Sequence, residues 1–229
     1  MRDRPDALMV FAAGFGTRMR PLTDDRPKPL IRVGGRTLLD RALDLGREAG
    51  VARIAVNAHY RAEMIEAHLA GTGVTVLRED PILETGGGLK AALPTLGAGA
   101  VLTLNPDGVF AGPNPLALLR EGWTGGEGAL LLVARREAAG RAEGDFDLSP
   151  DGTLRRGGDW VYLGAQALST GAVARRPDGA FSLNEVWDGM AARGDLRGLR
   201  YPGRWADVGT PEGIAAAEAL LKAADVRAV

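Results

Sequence analysis

Residues 7–30 read ALMVFAAGFGTRMRPLTDDRPKPL, and this stretch determines how the rest of the chain is interpreted. Its apolar beginning, 7–13, is typical of a buried β-strand near the N-terminus. Gly14 and Gly16 lack side chains where the backbone must turn sharply or approach a ligand closely. Successive main-chain N–H groups in such a turn form a concave anion-binding site. The stretch therefore predicts a strand that ends in an anion-binding loop.

The cationic side chains of the same loop suit a polyphosphate. Arg18 and Arg20 carry planar guanidinium groups that match phosphate oxygens. Lys28 stands between Pro27 and Pro29, which restrict the backbone on both sides of it. The chain has 28 lysines and arginines, of which only three are lysines, so a lysine here indicates a need for a compact point charge. Together these groups predict a triphosphate-binding loop.

Two other nucleotide-binding motifs fit the chain poorly. Residues 14–19 begin like the dinucleotide fingerprint G-x-G-x-x-G, but Met19 stands where the third glycine belongs. The phosphate loop G-x-x-x-x-G-K-[ST] occurs nowhere in the sequence. Both interpretations are therefore weak.

Composition limits the class of protein. The 229 residues suffice for one domain with a sizeable core, and a 45% hydrophobic and 25% charged content is typical of soluble globular proteins. A net charge of −1 offers no general attraction to nucleic acid or to a membrane surface. Cysteine is absent and His59 and His68 are the only histidines, which excludes disulfides and disfavours transition-metal sites. The sequence has no long apolar run or signal-peptide pattern, because the charged residues 2–4 lead directly into the first strand, so a cytoplasmic location is expected.

Strand-like and helix-like segments alternate over about the first 135 residues. The predicted strands are 7–13, 53–57, 74–77, 101–104 and 129–134, and the predicted helices are 38–49, 62–69, 87–93 (ended by Pro94) and 116–121. Such alternation favours a three-layer, Rossmann-like α/β fold with a mainly parallel sheet. Ligands of these sheets bind beyond the carboxyl ends of the strands.

The pattern changes after about residue 135. Segments 146–148 and 161–168 look like β-strands joined by hairpins, with a turn at 150–152, and form a small β-rich lobe on the same sheet. Thr210 and Pro211 fit the N-cap and first position of a final helix that reaches about Val226.

The N-terminal loop resembles the signature of sugar nucleotidyltransferases, the pyrophosphorylases that join a nucleoside triphosphate to a sugar 1-phosphate. Their pattern, L-A-A-G-x-G-[ST]-R-[LM]-x-P-L-T followed by x-P-K-P-[LM], is matched in order by residues 11–23 and 26–30. Later segments also fall in family order, namely E-T-G-G-G at 84–88, N-x-D at 105–107, G-D-F at 144–146 and W-x-D-V-G-T at 205–210. The resemblance is closest to the short uridylyltransferases that act on N-acetylmuramate 1-phosphate in cell-wall sugar (peptidoglycan) recycling.

The resemblance implies a GT-A-like nucleotidyltransferase fold in one domain over residues 1–229. Residues up to about 135 would bind the nucleotide, and about 136–229 would form the acceptor-binding lobe and closing helix. The implied substrates are UTP and a sugar 1-phosphate, without nucleic acid or membrane partners, and the expected state is a monomer or a weak homodimer.

The resemblance also assigns site residues. Arg18, Lys28, Asp107 and Asp207 would be catalytic, and the two aspartates would hold Mg²⁺, which prefers hard oxygen ligands. The implied nucleotide-binding residues are Ala12, Ala13, Gly14, Gly16, Thr17, Glu84, Gly86, Gly87 and Asn105. The implied sugar-binding residues are Gly144, Asp145 and Gly164.

One position departs from the family pattern, and two alternatives stay open. Pro106 stands where the family commonly has a small residue, which removes an N–H near the expected ribose. It is the one feature that favours a nucleotide-sugar sensor without turnover. The nearer alternative keeps the chemistry but transfers a thymidylyl, guanylyl or cytidylyl group to another phosphorylated acceptor.

Overall fold

A computed structural model describes residues 4–225 and places a nine-stranded sheet at the centre of an α/β fold. The strands are β1 (Ala7–Phe11), β2 (Arg32–Val33), β3 (Arg36–Thr37), β4 (Arg53–Ala58), β5 (Thr75–Arg78), β6 (Ala100–Leu104), β7 (Gly108–Ala111), β8 (Ala129–Arg135), β9 (Phe146–Leu148), β10 (Leu154–Arg156), β11 (Trp160–Ser169), β12 (Leu196–Arg200) and β13 (Arg204–Asp207). The α-helices are α1 (Leu38–Glu48), α2 (Ala62–Leu69), α3 (Glu84–Leu96), α4 (Pro115–Gly122), α5 (Gly171–Ala174), α6 (Leu183–Arg193) and α7 (Pro211–Asp225).

The sheet has a parallel half and a mixed half. Its main path runs β10-β9-β11-β6-β1-β4-β5, and β6, β1, β4 and β5 are parallel neighbours. β11 pairs antiparallel with β6 and with β8, and β12 adds to β8 in parallel. Because β9, β10 and β11 belong to this sheet, the predicted β-rich lobe is an extension of it.

Helices cover both faces of the sheet, which confirms the predicted three layers. Leu8 and Val10 of β1 enter a core shared with apolar residues of α1, α2 and α4. Ala7 and Met9 point to the other face, where α3, α5 and α6 pack. Residues 7–10 are buried on both faces of the sheet, so β1 has an apolar residue at every position instead of alternating apolar and polar residues.

A smaller apolar cluster joins the N-terminal loop to the end of the chain. It contains the buried residues Met19, Ile31, Val33, Leu38, Val109, Val208 and Ala217. Met19 ends a short 3-10 helix in the loop, Val109 lies in β7, and Val208 follows β13 directly. The cluster therefore fixes the loop against β13, which ends at Asp207, and against β7, which begins just after Asp107.

Several element predictions need correction. The helix predicted at 87–93 begins at Glu84 and continues through Pro94 to Leu96, which is buried in the core. Burial of Leu96 helps to offset the hydrogen bond that the proline removes. The sequence did not predict the helices α5 and α6 or the strands β2, β3, β7, β10, β12 and β13.

Two predictions concern residues near the ends of the chain. α7 starts at Pro211 as predicted, whereas its predicted end at Val226 and the charged residues 2 and 3 lie outside the described residues. Within residues 4–225, the helices are too short or too polar to cross a membrane.

Candidate active site

Gly16 shapes the N-terminal loop. Its φ of 64° lies in the left-handed region, and a Cβ there would stand 3.0 Å from Cβ of Lys28 and 3.1 Å from Cγ2 of Thr23. The hydroxyl of the buried Thr23 donates to the Gly16 carbonyl at 2.9 Å. Glycine is therefore required both by the backbone conformation and by the close approach of the two arms of the loop. This contact brings Lys28 beside the glycine turn.

A two-stranded ribbon brings the two predicted aspartates together. β7 and β13 pair antiparallel, with Asp207 opposite Gly108, the residue after Asp107. The N–H of Val208 donates to the carbonyl oxygen of Asp107 at 2.9 Å. The ribbon joins residues about one hundred positions apart, and it lies at the carboxyl end of β6, where the fold predicts a ligand.

Both carboxylates have cationic partners. The ammonium of Lys28 donates to Oδ2 of Asp107 at 2.7 Å, and Nη1 of Arg141 donates to Oδ2 of Asp207 at 3.2 Å. Burial, and then the neighbouring charge of Asp107, raise the pKa of Asp207, while Lys28, Arg141 and Arg18 oppose that rise. The site therefore combines two like charges with three cations, an arrangement suited to several anionic groups.

The donor set fits a divalent metal ion only when a ligand contributes to its coordination. The two aspartates offer hard carboxylate oxygens of the kind that Mg²⁺ prefers. Within residues 4–225, no group of three or more acidic, histidine or cysteine side chains is placed to hold a metal by itself. Phosphate and water oxygens would have to supply the remaining ligands, as is usual for Mg²⁺ at phosphate sites.

A cavity of ≈ 340 Å³, here called the loop cavity, lies beside these groups. The predicted residues that line it are Ala12, Ala13, Gly14, Gly16, Thr17, Arg18, Lys28, Glu84, Asn105 and Asp107. Asp207 lies in an adjoining groove, which shares Arg18 and Gly209 with the loop cavity.

Gly86 and Gly87 do not line the loop cavity. Their N–H groups donate to the carbonyl of Phe181 at 2.8 and 3.1 Å. A Cβ on Gly86 would lie 2.3 Å from the Phe181 ring, and one on Gly87 would lie 2.3 Å from the carbonyl oxygen of Gly179. These glycines are needed for close packing of α3, and their two amide donors are not free for a nucleobase.

Sequence reasoning missed a buried polar network that supports the loop cavity. Oδ1 of Asn57 accepts from the N–H of Ala12 at 2.7 Å, and its Nδ2 donates to Oε1 of Glu79 at 2.7 Å. Oε2 of Glu79 accepts from the N–H of Leu83, next to the start of α3. Asn57 and Glu79 are both buried and both line the cavity. They connect the end of β1 to residues 84–88, the glycine-rich turn at the start of α3. The signal in the sequence was Asn57, a polar residue among the apolar residues of β4.

Removing this network should weaken both fold and binding. In Asn57→Ala the buried N–H of Ala12 and one oxygen of Glu79 lose their partners. We expect a loss of about 1–3 kcal/mol in the free energy of unfolding, or several degrees in Tm, and a higher KM for the nucleotide. Thermal unfolding and initial rates would check this. Unchanged Tm and KM would show that water replaces the amide without cost.

A second cavity of ≈ 290 Å³, the lobe cavity, shares Phe11, Thr85 and Asn105 with the loop cavity. Of the predicted sugar-binding residues, Asp145 lines it, and its Oδ2 accepts from the N–H of Tyr162 at 2.9 Å. The lobe cavity therefore adjoins the loop cavity on the side of the β-rich lobe.

Gly144 and Gly164 line neither cavity and occupy crowded backbone positions. A Cβ on Gly144 would lie 2.5 Å from the carbonyl oxygen of Gly158. Gly164 has φ of 82° at the irregular part of β11, and its carbonyl accepts from the N–H of Asn105 at 2.8 Å. Both glycines permit close backbone packing beside Asp145 and Asn105, which line the lobe cavity.

A glycine loop with Lys28 and a pair of aspartates at the carboxyl edge of an α/β sheet form the arrangement expected of a nucleotidyltransferase, and the comparison with protein families shows that class. The model of the MobA-like NTP transferase domain matches residues 8–195. The chain belongs to this family and, within it, to the sugar-1-phosphate nucleotidyltransferases.

Two relatives match this chain over almost its whole length. It is 39% identical to the N-acetylmuramate alpha-1-phosphate uridylyltransferase of Caulobacter vibrioides (strain ATCC 19089 / CIP 103742 / CB 15), covering 96% of this chain and 99% of the relative. It is 33% identical to the protein of the same name from Neisseria meningitidis serogroup B (strain ATCC BAA-335 / MC58), covering 94% and 98%. Among solved structures, the inositol-1-phosphate CTP transferase from T. maritima superposes with a TM-score of 0.76 over 97% of this chain and 98% of that chain, at 14% identity. The last match shows the fold alone.

Proposed function

We propose that the protein transfers the uridylyl group of UTP to N-acetylmuramate 1-phosphate, giving the UDP-sugar and pyrophosphate in cell-wall sugar recycling. The observation that carries this proposal is the 39% identity to a uridylyltransferase of that name over 96% of the chain. The two adjoining cavities support it, because one suits a triphosphate and the other a sugar. We assign the nucleotide to the part up to about residue 135 and the acceptor to the later lobe.

The proposed reaction is an in-line displacement at the α-phosphorus. An oxygen of the sugar phosphate forms a new P–O bond to that phosphorus, and the bond to the β-phosphate oxygen breaks with release of pyrophosphate. No covalent intermediate with the protein is needed, so catalysis consists of positioning and charge neutralisation.

The loop supplies the groups that hold the phosphates. Lys28 has three N–H donors, of which Asp107 uses one, so the ammonium can bind the phosphates nearest the reacting centre without leaving Asp107. Arg18 and the main-chain amides of residues 14–17 hold the leaving pyrophosphate. These groups act on charge that moves toward the leaving group during the reaction.

Asp107 and Asp207 would hold Mg²⁺, which when bound offsets the repulsion between the two anionic substrates. Lys28 and Arg141 each donate to Oδ2 of one of these carboxylates, so the ion would share both aspartates with these cations.

A pyrophosphate-release assay tests the proposed function. It would pair UTP, dTTP, CTP, ATP and GTP in Mg²⁺ with several sugar 1-phosphates, including those of N-acetylmuramate, N-acetylglucosamine and mannose. The expected result is the fastest release with UTP and N-acetylmuramate 1-phosphate, with slower release when dTTP or a neutral sugar 1-phosphate replaces either substrate. Nucleotide binding without release in every combination would instead support the sensor alternative.

We expect a nucleotide preference of UTP, then dTTP, with CTP, ATP and GTP far behind. Peptide groups near Ala12, Gly14 and Glu84 would pair with the uracil edge, although the N–H of Ala12 is already used by Asn57. Cytosine would set a donor against a buried donor, at a cost of about 1–3 kcal/mol. The methyl of thymine is excluded only weakly, by roughly 10–200-fold at most. Thermal-shift titrations with the five triphosphates would measure the order, and stronger stabilisation by GTP or CTP would contradict the uridylyl assignment alone.

A further inference from the structure

We propose that Arg156 selects acceptors that carry a negative charge on the sugar in addition to their phosphate. The inference rests on the proposed function, since it concerns the acceptor end of the same site. Arg156 ends β10 and lines the lobe cavity. Among the described residues that line this cavity, it is the only cation.

The guanidinium of Arg156 is held in place by contacts on several sides. Its Nε donates to Oδ1 of Asp188 at 2.8 Å, and its Nη2 donates to the carbonyl oxygen and Oδ1 of Asn184 at 3.1 and 3.0 Å. It also lies over two aromatic rings, 5.0 Å from the centroid of Phe146 and 5.7 Å from that of Trp187. These contacts fix the orientation of the group, so a ligand does not have to order it.

One nitrogen of this guanidinium has its donors left for a ligand. The hydrogen bonds of residues 4–225 use Nε and Nη2 and leave both N–H groups of Nη1 without an acceptor. The side chain is 39% exposed, and its partner Asp188 is 60% exposed, so water screens that pair and the guanidinium keeps its attraction for an anion. Arginine N–H groups form strong, charge-assisted hydrogen bonds to carboxylates.

Several other polar groups of the wall have partners inside the protein. Both ends of the Gln166 amide are used, because Nε2 donates to Oγ1 of Thr103 and Oε1 accepts from Nε1 of Trp187. The carboxylate of Asp145 accepts from the N–H of Tyr162. Asp145 is an acidic residue of this wall and opposes an added negative charge, so the attraction for one falls to Arg156.

The chemistry of the acceptor gives this donor a target. N-acetylmuramate and N-acetylglucosamine share the ring and the acetamido group, but the former adds a lactyl ether that ends in a carboxylate. A carboxylate beside Nη1 gains a charge-assisted hydrogen bond, whereas the neutral sugar leaves Nη1 to water. A sugar 1-phosphate with a carboxylate is thus the acceptor class that Arg156 favours.

The experiment compares three acceptors: N-acetylmuramate 1-phosphate, its lactyl carboxamide, and N-acetylglucosamine 1-phosphate, each with UTP and Mg²⁺. The carboxamide keeps the shape of the acid and removes its charge. In Arg156→Gln we expect kcat/KM for the acid to fall by about 10–100-fold, mainly through KM, with the two neutral acceptors changed by less than about 3-fold. Arg155→Gln is the matched control, because Arg155 is the exposed neighbour on the same strand and should leave all three rates unchanged.

The acid-to-amide ratio of kcat/KM decides the result. An unchanged ratio in Arg156→Gln, or an equal loss with all three acceptors, overturns the role of Arg156 and leaves the proposed function intact. Wild-type protein that releases no pyrophosphate with any of the three overturns the proposed acceptor and the inference with it. If Arg156→Gln does not fold, Arg156→Lys keeps the charge and loses the fork; a loss confined to the acid supports the role, and an equal loss for all acceptors contradicts it.

Discussion

Asp107→Asn and Asp207→Asn are each expected to lower kcat/KM by about 10²–10³, which corresponds to about 3–4 kcal/mol of transition-state stabilisation. The ribbon of β7 and β13 brings Asp207, in the adjoining groove, close to Asp107, which lines the loop cavity and accepts from Lys28. An amide keeps the shape of the side chain but loses the charge that a divalent cation requires. Initial rates over a range of Mg²⁺ concentrations would measure the effect, and near-normal turnover in either variant would show that this residue is not a metal ligand.

The same variants should fold. Burial raises the pKa of Asp207, so its charged form is disfavoured in the folded state and stability is lost as the pH rises from the ordinary aspartate pKa through the raised one. Asp207→Asn removes that penalty, and we expect its Tm at pH 7, measured without metal, to equal or exceed that of the wild type. Asp6→Asn is the control, because Asp6 is an exposed carboxylate paired with Arg53 at the amino end of β1, opposite the site. A large fall in Tm for Asp207→Asn would mean that the variant loses activity because it unfolds, and not because a metal ligand is missing.

The loop and most of the helices and strands could be predicted because their signals are local. A run of apolar residues followed by Gly14 and Gly16 is enough to predict β1 and the loop from about ten residues. The spacing of apolar residues predicted α2 with the bounds that the structure shows. The family motifs identified Asp107 and Asp207 as site residues but did not show that the two are close in space. Their meeting depends on β7 and β13, four residues each, which pair across the chain and have no periodicity long enough to detect.

The glycine-rich turn shows why the finer site could not be predicted. Glycines at 84–88 indicate close approach, but the sequence does not say to what. In the structure Phe181 approaches Gly86, and Asn57 with Glu79 fixes the turn from the other side. Residues that support a site through buried hydrogen bonds have no motif of their own, since their partners are set by tertiary packing.

Lys28→Arg is expected to be about as inactive as Lys28→Ala, each with kcat lowered by at least about 10². The Lys28 side chain is 15% exposed, its Cβ lies against Gly16, and its ammonium reaches Oδ2 of Asp107 at 2.7 Å. An arginine is longer and ends in a planar fork, so it cannot present one compact charge at that point unless the loop moves. The prolines on both sides of Lys28 and the apolar cluster around Met19 oppose such a movement.

Lys90→Arg provides a matched control for this substitution. Lys90 is 21% exposed and forms an ion pair with Asp178 of the same 2.7 Å length, but it lies on α3 and lines neither cavity. We expect Lys90→Arg to keep near-normal kcat. A loss seen in Lys28→Arg but not in Lys90→Arg would then come from the position of Lys28 in the site, and not from replacing a paired lysine in general. Rates at saturating UTP and acceptor are the required measurement. A Lys28→Arg enzyme with most of its activity would mean that this position supplies diffuse positive charge, and that Asp107 rather than Lys28 determines the geometry at the α-phosphate.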